Sequence, residues 1–180
     1  MANTLNTDIA KELNITARRN DTFQMLLEVR DSNDTLINFS DVNDLSLPVY
    51  QSKMTISNTG GDRILSIYSD KWRNSSEGVV ASNPDGDGSN YTLPSDVPPS
   101  PTTEGHYTGG TGVGSAIHLA AQTTSGKVTI NVPYTYVDFQ AGTYNYDFQI
   151  RKQTSAAGAV EYTTWLYGTF TLRSDITKVG

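Results

Sequence analysis

Two histidines, His106 and His118, stand twelve residues apart in a chain without cysteine. Imidazole is the commonest metal ligand and proton carrier near neutral pH, but this spacing fits no His-Glu-x-x-His arrangement. The pair reads as solvated loop side chains. Asp85-Gly-Asp87-Gly-Ser89 places oxygen donors at positions 1, 3 and 5 of a calcium-type loop. Position 6, where the sharp turn needs glycine, is Asn90, and position 12 is Asp96 rather than a bidentate glutamate. A Pro-Asp-Gly turn after Pro84 is the simpler reading. Gly109-Gly-Thr-Gly112-Val-Gly114 has the composition of a phosphate-cradling loop, yet such loops join a strand to a helix N-terminus. Here a Pro-rich tract precedes it and no nearby lysine follows, so it reads as a plain loop. The absence of cysteine removes thiol nucleophiles, disulfides and Cys-based zinc sites. No Gly-x-Ser-x-Gly elbow occurs. Any two of the 19 acids are formally available for glycoside hydrolysis, but none stands in an apolar context that would raise its pKa. The sequence therefore predicts no catalytic residue, no metal ligand and no cofactor.

Elements that position side chains must then be sought in 180 residues, a length that suits one domain, 1–180. Hydrophobic residues make up 36% and charged ones 18%; the balance is Ser, Thr, Asn and Gly, which compete with helix and populate turns. The net charge of −6 has the wrong sign for neutralising phosphates, so nucleic acid is not an expected partner. No apolar run is long enough to span a membrane as a helix. The start, Met1 to Asp8, lacks the basic and apolar regions of a signal peptide, which points to synthesis in a cytoplasm. The acidity is local. Asn74 to Gly126 holds nine of the 15 glycines, five of the seven prolines, five acids and no Lys or Arg. This reads as a long polar insertion loop, of the kind that is functional when it occurs inside a compact domain.

The flanks read as strands. Phe23, Met25, Leu27 and Val29 alternate with Gln24, Leu26, Glu28 and Arg30, the period of a half-buried strand. Met54 and Ile56 oppose Lys53 and Thr55, and Thr59-Gly-Gly-Asp62 turns the chain into Arg63–Tyr68. Val128, Ile130 and Val132 alternate with Lys127, Thr129 and Asn131. Tyr144, Tyr146, Phe148 and Ile150 share a face, and Ala156-Ala-Gly158 turns into a last strand. There Thr164, Leu166, Gly168, Phe170 and Leu172 are expected inward, with Trp165 and Tyr167 outward. Thr7–Leu13 and Ser40–Leu47 are the two short stretches with helical spacing, and residues 1–14 read as an N-terminal arm. About seven alternating strands predict an all-β antiparallel sandwich.

Tyrosine is in excess, ten copies against five phenylalanines. A tyrosine is apolar in body and polar at its tip, and interface cores are enriched in it. Tyr134, Tyr136, Trp165 and Tyr167 are accordingly the candidate interface residues; the alternative is that they cap the sandwich edges.

Three segments then line up with a known family. Ile15-Thr-Ala-Arg-Arg-Asn-Asp-Thr-Phe23, Ala141-Gly-Thr-Tyr-Asn-Tyr-Asp-Phe-Gln-Ile150, and Leu166-Tyr-Gly-Thr-Phe-Thr-Leu172 with Asp175-Ile-Thr177 resemble the immunoglobulin-like N-terminal domain of upper baseplate proteins of tailed bacteriophages. That family shows an Arg-Gly-Asp-Thr-Phe-like entry, a Gly-Thr-Tyr-x-Tyr-Asp strand and a closing Gly-Thr-Phe-x-Val strand. The likeness covers the two flanks and skips residues 74–126; Asn20 stands where the family has glycine.

The resemblance implies an immunoglobulin-like sandwich carrying a long Gly/Ser/Pro-rich insertion. It gives structural roles to Arg19, Asp21, Gly142, Tyr144 and Gly168. Arg18, Arg19 and Asp21 would pin the first strand by charge-assisted hydrogen bonds, and Gly168 would let another backbone approach the last strand. The implied function is non-enzymatic: a virion structural protein in a tail, baseplate or fibre-attachment assembly. It would contact other virion proteins in several copies, with no nucleic acid and no membrane. A capsid decoration or head-fibre role is the alternative location. A carbohydrate-binding module, with an exposed Trp165 and tyrosines stacked on sugar rings, is the alternative class.

Overall fold

The computed structural model describes residues 3–6, 10–31, 33–41, 49–69, 79–80, 91–92, 95–110, 112–120, 126–154 and 161–174. Their strands are β1 (Asn3–Asn6), β2 (Lys11–Glu12), β3 (Ile15–Arg18), β4 (Phe23–Arg30), β5 (Tyr50–Ser57), β6 (Arg63–Tyr68) and β7 (Val79–Val80). After them come β8 (Tyr91–Thr92), β9 (Gly105–Tyr107), β10 (Ile117–Leu119), β11 (Lys127–Val132), β12 (Gly142–Lys152) and β13 (Glu161–Arg173). Two 3₁₀ turns, Gly112–Gly114 and Tyr134–Tyr136, complete the list, with no α-helix among the described residues. The chain is all-β.

Two sheets enclose one core. The smaller runs β1-β4-β11-β10; the larger runs β2-β13-β12-β5-β6-β9, with β3 also on β13; β7 and β8 pair by themselves. Alternation explains the smaller sheet. Val128, Ile130 and Val132 are buried while Lys127, Thr129 and Asn131 are exposed, and they face Leu27, Met25 and Phe23 across the ladder. Each buried side chain of this size is worth about 1.5–3 kcal/mol. A one-residue slip would turn the whole set outward, so the register is fixed. The sheets meet through contacts such as Phe23 on Phe170, rings 5.4 Å apart and edge to face.

The six long strands match the sequence periodicity and pair antiparallel with one another. Four of the short ones differ: β1 on β4, β2 and β3 on β13, and β9 on β6 are parallel. The sandwich is therefore mixed at its edges rather than purely antiparallel. Within Thr7–Leu13, Lys11 and Glu12 form a strand instead of a helical turn. So short a helix is not stable alone, and the edge of β13 offers backbone partners that it lacks. Most of the second stretch, residues 42–48, lies outside the described residues, as does the turn at 156–158.

Residues 74–126 are not all loop. Gly105–Tyr107 adds a strand to the larger sheet and Ile117–Leu119 one to the smaller, with Ala116 and Ile117 fully buried. Surrounding Gly, Ser and Thr hide this short apolar step from a composition count.

Trp165 corrects a further expectation. Phe148 pairs with Leu166 and Gln149 with Thr164, so Trp165 is the extra residue of a β-bulge. A bulge breaks the alternation, and here both Trp165 and Leu166 are buried. Trp165 is 3% exposed and packs near Phe39 and Phe148. It is a core residue, not an outward interface residue.

Candidate interface

The N-terminal segment is locked onto β13 at one point. Gly168 has φ +155, and a Cβ there would stand 2.5 Å from the carbonyl oxygen of Leu13, closer than any side chain tolerates. The approach is used in full. The Leu13 N–H donates to the Tyr167 carbonyl at 2.9 Å, and the Tyr146 hydroxyl donates to the Leu13 carbonyl at 2.6 Å. Asn14 Oδ1 accepts from the Thr169 N–H at 3.0 Å and from its hydroxyl at 2.8 Å. Burial pushes the Tyr146 phenol well above its ordinary pKa, so it is a permanent donor.

The other residues with expected structural roles surround this joint. Tyr144, at the start of β12, donates its hydroxyl to the Gln140 carbonyl four residues back, and its ring meets Phe139 edge to face. Arg19 Nε donates to Asp138 Oδ1 at 2.6 Å, and its N–H reaches the Arg173 carbonyl. Its charged partner is thus Asp138, not Asp21; both side chains are over two-fifths exposed, so the pair is worth at most about 1 kcal/mol. Asp21 contributes its N–H to the Arg18 carbonyl, closing a turn in which Asn20 has φ 64. Asparagine tolerates this left-handed conformation, so the turn does not need the glycine that the resembling family has. At Gly142 an added Cβ would meet only the Tyr144 ring, at 3.7 Å, an ordinary contact.

The candidate interface tyrosines do not form one patch. Tyr134 is 56% exposed and Tyr167 is 46% exposed. Tyr136 packs on Tyr107 of β9, ring centroids 4.3 Å apart and planes 35° apart. Strands β9 and β13, which carries Tyr167, are four strand spacings apart in the larger sheet, about 19 Å. Burial and then the Asp96 carboxylate push both Tyr107 and Tyr136 phenols up. Asp96 Oδ1 itself accepts from the Thr108 N–H and hydroxyl, each at 2.7 Å. Sequence reasoning missed Tyr107 and Asp96, because both sit in the stretch read as an insertion loop; the lone His-Tyr pair between glycine and threonine was the available signal. The two rings lie against each other rather than side by side, so they do not present the flat double platform that sugar stacking needs.

The outer face of the larger sheet is polar but not open. Lys53 is 4% exposed with its Nζ 5.5 Å from the centre of the Tyr68 ring. Arg151, 5% exposed, donates to Gln51 and Gln153. Asp147 has an oxygen shielded from solvent and without a hydrogen-bond partner. Burial raises its pKa, with Lys53, Arg63 and Thr55 acting against the rise. The sequence pattern assigns these residues to the non-core face correctly; it gives no sign that this face is covered.

The two histidines lie on different sheets: His106 on β9, stacked 6.2 Å from Tyr68, and His118 on β10. No group of three or more His, Cys, Asp or Glu side chains gathers at a metal-binding distance among the described residues. Asp85 and Asp87 lie outside them. The Gly109–Gly114 loop closes on itself through Gly110 N–H to the Gly114 carbonyl and leads into β10, not a helix. A groove of about 590 Å³ runs between β3 and the first half of β4, lined by Ile15, Ala17, Arg18, Phe23, Met25 and Arg173 among others. Compared with known proteins, the chain matches no family model and no curated sequence.

Proposed function

We propose that this chain is an immunoglobulin-like structural domain of a tailed-bacteriophage particle, acting through protein–protein contacts in a tail, baseplate or fibre-attachment assembly. One observation carries the reading. The three segments that resemble the baseplate family bring residues 155 positions apart, Ile15 and Phe170, into a single joint. Ile15–Arg18 pairs with Phe170–Arg173, and Tyr144 and Tyr146 pair with Phe170 and Gly168. A resemblance produced by short chance matches has no reason to converge in space.

The strand order supports the immunoglobulin-like part. On this reading the smaller sheet takes the places of strands A-B-E-D, with β1 departing by running parallel to β4, and β13-β12-β5 takes those of G-F-C; the Tyr144 hydroxyl bond at the start of β12 is of the corner type. The chain departs from antibody domains in having no inter-sheet disulfide; Tyr146, two residues after the corner tyrosine, occupies that inward position. On this reading the motif residues stabilise the domain and the contacts lie elsewhere on its surface. The partners are other virion proteins, the domain is present in several copies, and the product resides in the virion. Mass spectrometry of purified particles of the encoding virus tests this. The expected result is peptides of this chain at a stoichiometry of several copies per particle. Its expression during infection together with its absence from purified particles would contradict the proposal.

A further inference from the structure

The groove between β3 and β4 is bounded by two strand edges, and neither has a described partner on the groove side. β3 pairs only with β13. β4 pairs with β11 along Phe23–Glu28, but its other neighbour, β1, begins at Leu27. Among the described residues Phe23–Leu26 has no partner on this side, about 13 Å of edge at 3.3 Å per residue. Along an edge every second residue directs its N–H and C=O away from the sheet, a ready template for another strand. The floor between the edges is apolar, from Ile15, Ala17, Phe23 and Met25.

Charge says what kind of strand fits. Arg18 and Arg173 are directly paired across β3 and β13, both exposed, and neither has an ion pair among the described residues. Like charges directly opposite are destabilising. Among the described residues Asp21 is the only acid lining the groove, against Arg18 and Arg173, so these residues give its mouth a positive balance on a chain whose net charge is −6. We propose that this groove binds an extended acidic segment of a partner protein by strand addition. Alternate apolar side chains would fill the floor and a carboxylate would meet the Arg18–Arg173 pair. Main-chain bonding supplies affinity in such complexes, and side-chain pockets supply selectivity. The inference names partner chemistry for the contact function proposed above, but needs no particular location in a particle.

The test uses the full chain and a short synthetic peptide alternating valine with glutamate. Binding is followed by amide hydrogen exchange at Ile15–Arg18 and Phe23–Leu26. The expected result is slowing of exchange confined to those amides, with affinity falling about ten-fold when both arginines are reversed, Arg18→Glu with Arg173→Glu. Two peptide controls leave the protein unchanged, so they hold even if the double variant folds poorly. A backbone N-methylated version should not bind, and a lysine-for-glutamate version should bind at least about ten-fold more weakly. Equal binding of the N-methylated peptide, or no protection at saturating peptide, overturns the proposal. Sedimentation showing self-association that protects the same amides without peptide also overturns it, by making a second copy the occupant. Failure here would leave the particle assignment intact, because mass spectrometry of virions tests that separately.

Discussion

The two edges of the larger sheet are built in different ways. At the β13 edge, the N-terminal segment runs parallel to the last strand and closes on Gly168 through main-chain bonds, the Tyr146 hydroxyl and Asn14. At the β9 edge, a three-residue strand from the acidic stretch pairs in parallel with β6 and exchanges two backbone bonds with Val97, and side chains add to these. Ser66 donates to Glu104, Tyr68 approaches His106, Asp96 accepts from Thr108, and Tyr107 rests on Tyr136. Both edges have one point without slack: the Leu13 carbonyl fills the space where a Gly168 Cβ would be, and the Pro99 backbone stands 2.6 Å from where a Gly105 Cβ would be. The β9 edge also leaves rings and hydroxyls part-exposed and substitutable. Global stability should therefore concentrate at β13, and surface contacts should be tunable at β9.

Substitutions can break this contrast, and the largest effect is expected at Trp165. Trp165→Ala removes a buried indole from the bulge in β13 and should cost about 3–5 kcal/mol in urea unfolding. A cost under about 1 kcal/mol would return Trp165 to the surface. Gly168→Ala sets a methyl group against the Leu13 carbonyl and should cost about 2–4 kcal/mol, with faster amide exchange at Leu13–Arg18. Tyr146→Phe keeps the ring but leaves the Leu13 carbonyl without its hydroxyl donor, and should cost about 1–2 kcal/mol. At the opposite edge, Tyr136→Ala should cost only about 1 kcal/mol, the worth of one aromatic pair. An unfolding loss there as large as at Gly168 would erase the difference between the edges.

The smallest effect is a gain. Burial raises the Asp147 pKa in the folded chain, so the folded state favours the protonated carboxyl. The stability linked to this group is fully present below its unfolded pKa and is lost as pH rises through its folded one. Asp147→Asn should therefore stabilise the chain at neutral pH, by less than about 1 kcal/mol for a part-exposed group. The advantage should vanish as pH falls toward 4. Melting curves of both proteins across that range give the answer.

How much of this could be read in advance follows the same division. The six long strands were legible because burial imposes a period of two, as in Lys127–Val132. The resemblance marked Gly168 as a place of close backbone approach, which the Leu13 carbonyl occupies; it marked Tyr144 as structural without its hydroxyl bond to Gln140. Trp165 was not, because a bulge shifts alternation by one and nothing local marks the shift. Tyr107 and Asp96 were missed for a different reason: the Tyr107 strand is three residues long, parallel, and held by partners far away in sequence, and Asp96 lies outside any strand. The buried outer face around Lys53 and Arg151 was equally hidden, since alternation separates two faces without saying which of them meets water.

We propose that this chain is a particle component working by contact. Immunogold electron microscopy with antibody against the recombinant chain addresses it directly on particles of the encoding virus. Labelling at the tail end is the predicted result, and labelling over the head would move the same domain to capsid decoration. No labelling on intact or disrupted particles would contradict the account.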